Sequence, residues 1–189
     1  MINVRVLAVR TIWLWTRSLC YLSIVGGIWL VLIPAGLLGC ESSEEWPRLR
    51  SWPLVISGVG SFLFGSSLAC WSGYYLIHVG GGTPFPLDPT RRLVTTGPYA
   101  VVRNPQGVAL LLATAGEALI LDSVAILLLI PLSVIFLECL AGPVETWELR
   151  GRFGRQFDVY RDRVPKWMPR RWRLRALPTA LLEHAHPER

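Results

Sequence analysis

The chain has 189 residues, enough for one domain and short of two. It is 52% hydrophobic with a mean hydropathy of +0.42, and its long uncharged windows exclude an ordinary soluble domain. The formal charge of +6 has the sign that nucleic acids attract, but arginines crowded between apolar runs, together with 9 tryptophans, are the pattern of a membrane protein, and no nucleic-acid partner is expected.

The first apolar run covers residues 19–40 and follows Arg5, Arg10 and Arg17. About 20 apolar residues cross a hydrocarbon core, so this run is expected to span, with Pro34 as a possible kink. Leu38-Gly39-Cys40 looks loosely like a lipoprotein cleavage site, but the segment before it is longer than a signal of about 15–30 residues. The second run, residues 53–78, is rich in small residues (Gly58, Gly60, Ser61, Gly65, Ser66), which let helix backbones approach closely in lipid; central packing is expected for it. His78 at its end is assigned no role. The third and fourth runs, residues 107–121 and 124–140, are separated by Asp122-Ser123, and a polar dipeptide between apolar runs is a natural turn; one longer helix is the alternative. The four cysteines lie in or beside apolar runs and form no C-x-x-C pair, so they are read as small buried hydrophobes, with no metal site and no disulfide framework.

Charge orients the four spans. The loop of residues 41–52 holds only Arg48 and Arg50, whereas the N-terminal arm has three arginines, the loop of residues 79–106 another three, and the C-terminal part eleven basic residues. This excess marks the cytoplasmic face and puts both termini inside. Toward the C-terminus, Leu149, Phe153, Phe157, Tyr160 and Val164 recur at helical spacing among arginines, which predicts a basic amphipathic helix that either lies on anionic lipid or covers the cytoplasmic mouth of the bundle. The Arg170-Arg171-Trp172-Arg173 cluster reads as a surface anchor, and the stretch with His184 and His186 as a disordered tail. The expected architecture is an all-α polytopic bundle of about four spans: residues 1–79 form an arm and two helices, 80–169 a cytoplasmic loop, a helical hairpin and the amphipathic helix, and 170–189 a basic tail.

Two cytoplasmic segments carry candidate chemistry. The first runs from Gly80 through Thr83-Pro84-Phe85-Pro86-Leu87-Asp88-Pro89 and Leu93-Val94-Thr95-Thr96-Gly97-Pro98-Tyr99 to Arg103-Asn104-Pro105. Proline and glycine at this density make a rigid irregular connection, either a plain linker or a binding loop. The second begins at Glu145. Glu138 lies seven residues earlier, on the same face of a regular helix, and Glu117 is embedded in the third run; such acids either bond neighbouring helices or face a functional cavity.

At these segments the pattern G-T-P-x-P-x-x-P, L-V-x-x-G-P-Y, V-R-N-P, an apolar hairpin, E-x-x-x-L-x-x-x-F-G-x-x-F-x-x-Y and V-P-x-x-x-P resembles the isoprenylcysteine carboxyl methyltransferase family, from about Gly81 to Pro169. Gly116-Glu117-Ala118-Leu119 is similar to the family's third helix. The resemblance implies an integral membrane enzyme that takes S-adenosylmethionine from the cytosol and methylates a hydrophobic or amphiphilic acceptor at the inner leaflet of the bilayer. It assigns cofactor contacts to Leu93, Val94, Tyr99, Asn104, Pro105, Gln106, Gly107 and Glu145, and leaves the catalytic residues unassigned. Aromatic faces and oxygen acceptors suit a sulfonium cation. The chain departs from the family at Gly107, where a tyrosine is usual, at Ala109, where a glycine is, and at Thr146, where a second glutamate is. The stretch Ala141-Gly142-Pro143 also lacks the arginine with which eukaryotic members hold a prenylcysteine carboxylate, which argues against that acceptor. The alternatives are an inactive relative, a sterol-reductase-type enzyme using a nicotinamide dinucleotide, and a non-enzymatic membrane subunit.

Overall fold

The computed structural model describes residues 4–40, 51–83 and 89–168. Most of the loop of residues 41–52, together with residues 84–88, the arginine cluster after Pro169 and the terminal histidines, lies outside the described residues. Every regular element described is helical: α1 (Val4–Gly27), α2 (Ile33–Cys40), α3 (Trp52–Tyr75), α4 (Pro105–Leu121), α5 (Val124–Phe136), α6 (Gly142–Phe153) and α7 (Arg155–Arg163). Three π-helical turns, Ile28–Leu32, Leu76–Gly80 and Leu137–Ala141, extend or join these helices, and a 3₁₀ turn covers Gly97–Ala100.

Among the described residues, two continuous helices are long and apolar enough to cross a membrane, Trp52–Gly80 with 29 residues and Val124–Phe153 with 30. Only 11% and 17% of their apolar windows are buried inside the protein, so most of each helix turns outward, as lipid-exposed spans do. Ile28–Gly39 and Pro105–Leu121 are shorter apolar helices. Cys20 on α1, Cys70 and Cys139 are exposed rather than in the interior the sequence predicts, because the apolar runs that carry Cys70 and Cys139 turn most of their surface outward.

The tightest contact is the antiparallel pair α3–α4, and small residues make it possible. A Cβ on Gly58 would lie 2.9 Å from the Gly116 carbonyl oxygen, and one on Gly65 would lie 2.8 Å from the Ala109 carbonyl oxygen and the Ala113 nitrogen. The Ser61 hydroxyl donates across the seam to the Leu112 carbonyl at 2.8 Å. Gly60 lies off the seam and meets nothing. The hairpin α4–α5 breaks where the polar dipeptide predicts: Asp122 adopts φ 54°, and the Ser123 hydroxyl caps α5 by accepting from the Ile126 amide at 3.2 Å. Beside it, Ile33 and Leu37 of α2 pack on Ala118, Ile126 and Leu129. At the other end of α3 the Trp15 ring meets Tyr74 and His78, and His78 stacks on Tyr74 with centroids 4.3 Å apart.

Two expectations change. The fourth apolar helix does not end near Leu140; it runs on through the π turn to Phe153. The wider turn accommodates Pro143, which cannot donate a hydrogen bond and whose ring crowds the carbonyl four residues back in an α-helix. The amphipathic segment is not one helix, because Gly154 takes φ 50° and ψ −126° and starts α7 in a new direction. The periodic face nonetheless gathers: Phe157, Tyr160 and Val164 bury themselves with Leu149, Phe153 and Leu93. Their arginine neighbours stay at the surface in ion pairs, Arg150–Asp158 at 3.2 Å and Arg152–Glu148 at 3.1 Å.

Candidate functional site

The loop between α3 and α4 is folded back onto the end of α3. The Gly80 carbonyl accepts from the amides of Arg91 (2.8 Å) and Arg92 (3.1 Å), and the Arg152 guanidinium donates to the Thr90 carbonyl. Val94 is buried here, its methyl 2.9 Å from where a Cβ on Gly80 would sit. Gly97, at φ 61°, lies flat under the Tyr75 ring, where no side chain fits, and this turn delivers Pro98 and Tyr99 into the interior.

The start of α4 follows from local chemistry. Pro105 occupies the first turn, where its missing N–H costs nothing, and the Asn104 side-chain oxygen accepts from the Gly107 amide at 2.8 Å. A Cβ on Gly107 would lie 2.6 Å from the Asn104 amide nitrogen, so the Asn104 cap fills the space beside a bare residue 107. That gives the departure at this position a physical partner. Gln106 donates to the Ala69 carbonyl of α3 at 3.3 Å. The Arg103 and Asn104 amides donate to the carbonyls of Pro165 (2.8 Å) and Lys166 (3.2 Å), and the Arg103 Nε to Val164 (2.9 Å).

These contacts set Tyr99, Arg103, Tyr160, Glu145 and Lys166 around one end of the helices. The Tyr160 hydroxyl donates to the Tyr99 carbonyl at 2.7 Å. Burial pushes both phenols up; for Tyr99 the neighbouring Tyr160 and then Glu145 add to it, and for Tyr160 Arg103 opposes it, so both stay neutral hydrogen-bonding groups. Burial lowers the Arg103 guanidinium, Tyr160 and Glu145 work against that, and the group remains a cation. Glu145, in the first turn of α6, is exposed and within electrostatic reach of Lys166 and Arg103.

The residues expected to touch a cofactor therefore divide. Tyr99, Asn104, Pro105 and Glu145 lie at this end, Tyr99 and Pro105 with buried side chains and Glu145 exposed. The half-buried Leu93 side chain packs on the Phe157 cluster, Val94 is buried beneath the loop, and the half-buried Gln106 donates to the Ala69 carbonyl of α3. Glu138 and Glu145 are not aligned as on a regular helix, because the π turn between them inserts an extra residue, about 100° of rotation. Glu138 pairs with Lys166 at 3.0 Å and accepts from the Trp167 indole. Glu117 lies in α4 with one carboxylate oxygen buried and unpartnered, one turn from the equally unpartnered Thr114 hydroxyl. An apolar crevice lined by Leu54, Leu119, Val124 and Leu127 sits at the far end of α4, 17 residues from Pro105, and has no part in this cluster. Tyr160 and Lys166 join this cluster although the sequence marks Tyr160 only as part of an apolar face and Lys166 not at all; both stand inside the motif stretches, at the last tyrosine of one and within V-P-x-x-x-P of the other.

A family model for phospholipid methyltransferases matches residues 54–156, from the start of α3 to just past the beginning of α7. The chain belongs to the phospholipid methyltransferase family. That family is one of the membrane methyltransferases akin to the isoprenylcysteine carboxyl methyltransferases, so the resemblance carried by the motifs holds at the level of the family. Membership and the two long apolar helices make this a membrane protein of methyltransferase type. No curated protein and no solved structure matches the chain.

Proposed function

We propose that the protein transfers a methyl group from S-adenosylmethionine to an amphiphilic acceptor whose polar head lies at the cytoplasmic leaflet. The observation that carries the proposal is that an exposed carboxylate, Glu145, lies within electrostatic reach of a half-buried guanidinium, Arg103, at one end of the bundle and inside the family-matched segment. The donor set fits the cofactor by charge: Glu145 complements its cationic part and Arg103 its carboxylate. Bound there, the cofactor supplies a methyl group activated by a sulfonium. The chain's own contribution is orientation, since methyl displacement needs an in-line approach and a site from which water is kept away. Asn104 and Pro105 fix the α4 end, Tyr160 fixes the Tyr99 turn, and the exposed flank of Leu140, Val144 and Trp147 beside Glu145 offers the acceptor an apolar approach. A phospholipid-like amine head fits the family; as a nucleophile it has to lose its proton first. In this proposal the helices make four crossings, and the arginine excess keeps both termini on the site's side.

Titration of the detergent-solubilised protein with S-adenosylmethionine tests it. Glu145→Gln, an isosteric change at an exposed position, is expected to weaken binding about tenfold, as loss of a charge-assisted contact does, with the unfolding midpoint unchanged. Absence of binding by the native protein, or equal binding by the variant, sinks the assignment.

A further inference from the structure

The segment after α7 crosses the site and ties its two halves together. Its backbone receives the Arg103 and Asn104 amides, which fixes it to the start of α4. The Lys166 side chain then reaches the other way. Its ammonium donates to the Leu137 carbonyl at 3.3 Å and pairs with Glu138 at 3.0 Å, while the Trp167 indole donates to the same carboxylate.

Leu137 opens the π turn Leu137–Ala141, and its carbonyl also accepts the Gly142 amide that closes the turn. Because the turn holds one residue more than an α-turn, its closure sets the rotation of everything beyond it by about 100°. Gly142 is bare where the ammonium arrives: a Cβ there would lie 2.5 Å from the Lys166 nitrogen and 2.6 Å from the Leu137 oxygen. Glu145 follows three residues later, within reach of both Lys166 and Arg103. An exposed lysine–carboxylate pair contributes little, but this lysine side chain is only 23% exposed and holds a backbone carbonyl as well.

We infer that Lys166 is a positioning residue of the methyl-transfer site: its ammonium holds the π turn Leu137–Ala141 against the segment that follows α7, and thereby fixes the direction in which α6 presents Glu145 to Arg103. The inference rests on the proposed role of Glu145 and adds a residue that lies beyond the family-matched segment.

The test uses the full chain in phosphatidylcholine–phosphatidylglycerol nanodiscs and compares Lys166→Met, Lys166→Arg and Glu138→Gln with the native protein. Two quantities are read, the dissociation constant for S-adenosylmethionine and amide hydrogen exchange across residues 137–145. Lys166→Met is expected to weaken binding about tenfold, the scale of loss when a site is held but misaimed, and to speed exchange in the turn. Lys166→Arg keeps a cation and is expected to restore both, and Glu138→Gln falls between. Native-like exchange in Lys166→Met overturns the inference. So does arginine failing as badly as methionine, which would make the role one of packing rather than charge. Faster exchange with unchanged binding also overturns it, because the turn would then not govern the site. If the native protein itself binds no S-adenosylmethionine, the methyltransferase reading falls along with the link from Lys166 to it, and the exchange comparison still reports whether Lys166 holds the turn. Should Lys166→Met fail to fold, Lys166→Gln, which removes the charge and keeps a polar side chain at this partly exposed position, serves for the same comparison.

Discussion

Tyr160 shows how a residue outside the proposed chemistry can hold the turn of one placed inside it, Tyr99. Its ring is buried in the apolar cluster of α7 while its hydroxyl bonds the Tyr99 carbonyl, 61 residues away in the chain. Removing the hydroxyl leaves a buried carbonyl without its partner, a loss of about 1–3 kcal/mol. Tyr160→Phe is therefore expected to lower the unfolding free energy by about 1–2 kcal/mol and to loosen the Tyr99 turn; denaturant unfolding checks it, and an unchanged midpoint would show that water already satisfies that carbonyl. Tyr99, Asn104, Pro105 and Glu145 were legible because their types and spacing form motifs. Lys166 was not, since its partners Leu137 and Glu138 are 29 and 28 positions away and are brought to it only by folding. Leu93 and Val94 belong to the same motif, yet their side chains went to packing, because a motif marks a segment's path and does not say which atoms face a ligand.

The helices divide in the same way. The Asp122-Ser123 break was legible, since a short polar cap and a left-handed residue are local devices. The π turns were not: the Leu137 carbonyl that closes one of them by accepting the Gly142 amide is also met by Lys166, a contact that only the folded chain supplies. The amphipathic pattern after Leu149 gave the buried face correctly and hid the bend, because the positive φ at Gly154 leaves the spacing of apolar residues intact. Between α3 and α4 the close approach at Gly58, Gly65 and Gly116 makes a sharp prediction. Gly58→Leu is expected to force the helices apart and lose folded protein, as overpacking costs about 1–3 kcal/mol or more. Gly60→Leu, two residues along the same helix and open to the outside, is expected to be tolerated. Size-exclusion profiles and thermal midpoints of the two variants settle the comparison, and equal damage from both would mean that the seam is not where the structure has it.

For the molecule as a whole, the arginine distribution makes the testable statement. If both ends of the chain are on the site's side and residues 41–50 on the other, a cysteine at position 42 reacts with a membrane-impermeant thiol reagent from outside intact cells and one at position 176 does not, in a background lacking the native cysteines. The opposite labelling would place the proposed site on the wrong face for a cytosolic methyl donor.

The two long helices are buried over so little of their apolar length that most of it faces away from the protein, as in a span that meets lipid. For an enzyme of the proposed kind, this recasts what substrate concentration means. An acceptor that stays in the leaflet reaches Glu145 by diffusing in a plane, so the quantity that saturates the site is its mole fraction among neighbouring lipids rather than its molarity. Diluting the acceptor with inert lipid then acts as competition, even though nothing in the aqueous phase has changed.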